Sequence, residues 1–177
     1  MISSGATVRG WHGTAPDIDP AAIVMEGVRI IGDVTIGPGS SVWYNTVIRG
    51  DVHWVRIGRD SNIQDGAVLH VTGGQFPLTI GDRVTVGHAV NLHGCTLEEE
   101  CLIGIGAVVL DGAVVQPRAL VAAGAVVPPG MVVESGSVVA GVPAKFIRRM
   151  RQEELDDRRH HAARYCLYAR EHAASMP

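Results

Sequence analysis

Residues 97–140 read LEEECLIGIGAVVLDGAVVQPRALVAAGAVVPPGMVVESGSVVA. An aliphatic residue returns at every sixth position: Leu97, Ile103, Val109, Val115, Val121, Val127, Val133 and Val139. A period of six is neither the 3.6 of a helix nor the 2 of a simple strand. The β-branched residues, interrupted by Gly and Pro, also oppose a helix. Six residues suit one short strand and one tight turn, and three such units close a triangular coil of about 18 residues. The aliphatic side chain points into the prism, where the coils above and below present the same type. No coil buries its apolar face alone, so stability comes from stacking at about 4.8 Å per coil.

The pattern extends towards the N-terminus in shorter runs: Ile36, Val42, Ile48; then Ile57, Ile63, Leu69; then Ile80, Val86, Leu92. Gly follows the aliphatic residue at Gly37, Gly58, Gly81, Gly87 and Gly104. A small residue often sits four positions after it, as at Ser40, Ser61, Ala67, Ala107 and Ala119. Both are expected at corners, where the backbone turns sharply. The repeat stops at Gly141-Val142-Pro143-Ala144-Lys145, and the composition then shifts to Arg, Gln, Glu, Asp, His and Ala. Residues 1–145 are therefore expected to form the β-helix. Residues 146–177 are expected to form an α-helix of the same domain, with Leu155, Ala162, Tyr165, Cys166 and Ala169 on one face.

Composition agrees with a thin, repetitive β-structure. The 177 residues are 46% hydrophobic but only 5% aromatic, with 22 Gly, so Val, Ile, Leu and Ala must fill the interior. A net charge of −3 gives no footprint for a nucleic acid. No apolar run is long enough for a membrane span, and the first residues do not read as a signal peptide. Cys95, Cys101 and Cys166 lack metal-type spacing and read as buried free thiols in a reducing, cytoplasmic setting.

The coil register places the chemistry. Arg49, His70 and His93 each follow the third aliphatic residue of their coil by one position and should form a vertical column. Asp65 and His88 each follow the second aliphatic residue by two positions and should form another column, on a different face. Stacked His70 and His93 can share one ion. His88 cannot reach them within one chain, because the prism lies between. A trimer solves this, with His88 of one copy meeting His70 and His93 of the next. Three imidazoles leave a fourth position open, as in catalytic zinc sites, and bound water there ionises near pH 7. Zn²⁺, Fe²⁺ and Co²⁺ all accept such ligands.

The stretches Gly32-Asp33-Val34-Thr35-Ile36-Gly37, Ser41-Val42-Trp43 and Val47-Ile48-Arg49-Gly50-Asp51 resemble the γ-class carbonic anhydrase pattern. So do Asn62-Ile63-Gln64-Asp65, Leu69-His70, Val86-Gly87-His88 and Leu92-His93-Gly94-Cys95. The resemblance runs from about Pro16 to Lys145. It implies a left-handed parallel β-helix of hexapeptide repeats, a homotrimer, and metal-hydroxide hydration of carbon dioxide to bicarbonate. It implies His70, His88 and His93 as ligands, and Gln64 and Asn62 as residues that orient water. Arg49, Asp51 and Asp65 become an interface ion-pair cluster, and Tyr165 a tail tyrosine that reaches the cavity. Val52 stands where active relatives carry a glutamate, and residues 71–79 (VTGGQFPLT) replace a longer acidic loop. Proton release is therefore expected to limit turnover. Other readings stay open on this fold: a metal-free acyltransferase, a CoA-thioesterase working through metal hydroxide, and a non-catalytic binding or scaffold trimer.

Overall fold

A computed structural model describes residues 1–175 as stacked parallel coils followed by one helix. One face of the prism consists of seven parallel strands: Ile23–Val24, Ser41–Val42, Asn62–Ile63, Thr85–Val86, Leu102–Ile103, Leu120–Val121 and Ser137–Ala140. The coil register is the expected one. Ile36 pairs with Ile57 and Ile57 with Ile80. Val42 pairs with Ile63 and Ile63 with Val86. Ile48 pairs with Leu69 and Leu69 with Leu92. These side chains are buried in one continuous core, each stabilising the fold by about 1.5–3 kcal/mol before chain entropy is charged against it.

The other two faces are joined by two long strands, Arg29–Ile36 and Val47–Ile57, which run through a corner. Gly32 and Val34 of the first pair with Gly50 and Val55 of the second. The second strand thus carries additional residues at this corner, 51–54, and they bulge outward. Asp51 and Val52 belong to this bulge.

The glycines after the aliphatic residues have a different reason from the one expected. Gly37, Gly58, Gly81, Gly87 and Gly104 do not adopt positive φ. A Cβ on Gly37 would lie 2.8 Å from the carbonyl carbon of Gly58, and one on Gly58 would lie 2.8 Å from that of Gly81. They are small because consecutive coils touch there. The left-handed residues fall three positions after the aliphatic residue, as at Gly39, Asp60, Arg83, Glu100 and Arg118.

The C-terminal segment also differs. Lys145–Arg149 is a strand that returns antiparallel along Ser137–Ala140. The helix begins only at Gln152 and runs to Ser175; residues 176 and 177 of the expected helix lie outside the described residues. It packs on the seven-strand face through buried Ala162, Ala169 and Ala173. Cys95 and Cys101 are buried free thiols, and burial pushes Cys101 up to about 12. Cys166 is only partly buried. No helix among the described residues is long and apolar enough to cross a membrane.

Candidate metal centre

His70 and His93 end the strands Val68–His70 and Asn91–His93, which pair directly, so the two residues are register partners on adjacent coils. His70 Nδ1 lies 3.0 Å from His93 Nε2. Each ring's outer nitrogen meets a carboxylate. Asp51 Oδ1 stands 3.1 Å from His70 Nε2, and Asp111 Oδ1 stands 2.7 Å from His93 Nδ1. Arg49 donates to Asp51 Oδ2 within the same chain.

Proton counting makes this pair distinctive. A carboxylate only accepts, so Asp51 requires a proton on His70 Nε2 and Asp111 requires one on His93 Nδ1. Neutral imidazole carries one proton. With those tautomers the two inner nitrogens turn lone pairs towards each other, an arrangement that a shared cation would relieve. A proton there would make one ring an imidazolium. Burial opposes that for His70: it is the largest influence on that ring and holds its pKa below the ordinary value, outweighing the hydrogen bond to Asp51. Burial also pushes Asp51 up, but hydrogen bonds from Arg49 and His70 outweigh it and keep the carboxyl ionised. A tetrahedral ion with Zn–N bonds of about 2.05 Å holds two nitrogens about 3.3 Å apart, within a few tenths of the observed gap. Carboxylates on the outer nitrogens are the usual partners of metal-bound imidazoles. The donor set fits a divalent metal.

His88 stands on the seven-strand face, two residues after Val86, where its Nδ1 lies 2.7 Å from Asp65 Oδ2. It is a third imidazole with a carboxylate behind it. Asp65 thus pairs with His88 within the chain, whereas Arg49 pairs with Asp51. Among the described residues of one chain, no three His, Cys, Asp or Glu side chains converge on an ion. The structure brings His70 and His93 together and leaves His88 apart, as the column register requires.

Gln64, Asn62 and Tyr165 gather on the His88 side. Asn62 is fully buried and donates to Thr85 Oγ1 at 3.0 Å. Gln64 Nε2 donates to Asn62 Oδ1 at 3.0 Å. Gln64, His88, Tyr165 and His161 line a cavity of about 320 Å³. Tyr165 packs edge-on against Trp43, and burial, with Asp65 and Tyr168 nearby, raises its pKa. Sequence reasoning missed Asp111, Thr85 and His161. Asp111 lies two positions after Val109, the residue stacked on Leu92, and so one place beyond the histidine column, which continues at Leu110. His161 lies one helical turn before Tyr165, and its Nδ1 meets Thr85 Oγ1 at 3.2 Å.

The stacked coils define a hexapeptide-repeat protein, and solved structures agree. A hexapeptide transferase family protein from Anaplasma phagocytophilum superposes with a TM-score of 0.90 at 39% identity, over 93% of this chain and 97% of that one. The chain is 47% identical to a carbonic anhydrase of Geobacillus kaustophilus over 82% of its own length and 79% of that protein. It is 44% identical to gamma carbonic anhydrase 1, mitochondrial, of Arabidopsis thaliana, over 98% of this chain and 65% of the plant protein. The chain thus spans just under two thirds of that relative's length. No protein-family model matches. The chain belongs to the gamma carbonic anhydrase family.

Proposed function

We propose that the chain hydrates carbon dioxide to bicarbonate at a divalent metal held by His70 and His93 of one copy and His88 of another, within a homotrimer. The observation that carries this is the facing pair of ring nitrogens, 3.0 Å apart, with an aspartate behind each ring. When bound, the ion supplies acidity, bringing the ionisation of water close to neutral pH. Zinc fits, and Fe²⁺ or Co²⁺ would satisfy the same imidazoles.

The chain's own residues position and exclude. The nitrogen of Gln64 is held by Asn62, so its carbonyl oxygen is left to accept a hydrogen bond from water in the cavity. Tyr165 and Ile105 wall that cavity. Water and carbon dioxide combine to give bicarbonate and one proton. Val52 is 54% exposed beside Asp51 and carries no base, and residues 71–79 hold no acid, so the proton leaves to dissolved buffer. Exposed Val68 on the His70 side and Ile105 on the His88 side support contact between copies.

The test is metal analysis of protein purified with and without oxygen, each sample assayed for carbon dioxide hydration. Metal should be bound, and His70→Ala or His93→Ala should remove both metal and activity. Imidazole buffer should raise kcat while leaving kcat/KM nearly unchanged, because it acts after hydration. Metal-free wild type with full activity would sink the reading, as would metal retained by both variants.

A further inference from the structure

Asp111 bridges two parts of the molecule. Its Oδ1 meets His93 Nδ1 at 2.7 Å, and its Oδ2 accepts from Thr72 Oγ1 at 2.9 Å. Thr72 belongs to the short segment 71–79, which folds into a tight turn closed by a Thr72–Phe76 bridge. Phe76 presses on the backbone beside His93: a Cβ on Gly94 would lie 2.6 Å from Phe76 Cβ and would also strike Asp111 Oδ1. Gly94 has a φ of +53°, so both space and conformation require glycine there. The turn, the carboxylate and the histidine therefore form one packed unit.

We infer that Asp111, steadied by Thr72, is a positioning residue that fixes His93 in the Nδ1–H tautomer and so keeps its Nε2 lone pair turned towards the shared ion. The segment 71–79 then has a task of its own: it holds a ligand's carboxylate instead of carrying an acid. This inference rests on the metal reading above for its affinity arm only. The tautomer exists in metal-free protein.

Two measurements test it. The first is the ¹⁵N chemical shifts of the His93 ring in metal-free protein at a pH where the ring is neutral. Wild type should show a protonated Nδ1 and a bare Nε2, Asp111→Ala should shift His93 towards the Nε2–H form, and Asp111→Asn should retain part of the preference through its amide oxygen. The second is zinc affinity by chelator competition. Asp111→Ala should bind about 10- to 100-fold more weakly, Asp111→Asn less so, and Thr72→Val a few-fold more weakly. Asp111→Asn and Thr72→Val keep side-chain volume, so they answer the question should Asp111→Ala fail to fold. An unchanged His93 tautomer in Asp111→Ala, or in the volume-matched pair should that variant fail, overturns the inference. Wild-type zinc affinity in all folded variants also overturns it. Wild type that binds no zinc sinks the metal reading instead, and the tautomer measurement then decides alone.

Discussion

At the scale of single residues, two kinds of glycine look alike in the sequence and differ in cost. Gly58 is pressed between coils without a positive φ, whereas Gly66 has a φ of +69° and open space around it. Gly58→Ala must push adjacent backbones apart and should cost about 1–3 kcal/mol, the range for overpacking. Gly66→Ala meets only the left-handed penalty of about 1–2 kcal/mol, and Ala89 already adopts φ of 55° at the equivalent corner one coil above. Urea unfolding should rank Gly58→Ala as the more damaging. The period revealed that glycine belongs after the aliphatic residue. It could not reveal the close approach, which depends on how near the coils come. Asp111 was hidden for a similar reason, since an acidic residue in a solvated turn looks like any other until its partner's coil is placed. Glu154 gives a test by titration. Arg148 donates to it, as does the backbone of Arg151, and its pKa falls to about 2 from 4.5. Its folded pKa is depressed, so its stabilising effect is present above about pH 4.5 and fades as pH falls towards 2. Carboxyl NMR should follow that titration, and Arg148→Gln should move it back towards 4.5.

At the scale of elements, the tail helix is docked by small residues. Ala169 is 1% exposed against Met25 and Trp43, and Tyr165 and His172 close over the Trp43 ring. Ala169→Leu has no room for its added carbons and should lower stability by about 1–3 kcal/mol. Trp43 fluorescence and thermal unfolding should report the change together. The apolar positions of this helix were legible from spacing. Its start was not: the apolar and basic residues 145–149 carry no glycine or proline, and only the free edge of Ser137–Ala140 turns them into a strand. The short coil strands were legible because a sixfold period admits few alternatives. The bulge at 51–54 was not, since it breaks that period and shows itself only when Val34 is paired with Val55.

At the scale of the whole molecule, the prism separates the proposed ligands: His70 and His93 stand on one face and His88 on another. Neither His88→Ala nor His93→Ala protein should bind metal by itself. Mixed trimers of the two should recover some intact sites, because a chain with a good His88 can meet one with His70 and His93. Metal content and hydration after confirmed subunit exchange measure this, and absence of recovery would argue against sharing. The return strand Lys145–Arg149 has a consequence of another kind. A stack of parallel coils ends in unpaired backbone amides and carbonyls, an edge that would template the next molecule and grow into fibres. Here the last strand of the seven-strand face is covered by a strand running the opposite way, which brings Arg148 and Arg149 to the rim and ties them to Glu154 and Glu134. The strand that ends the repeat therefore blunts one face of the final coil against end-to-end growth.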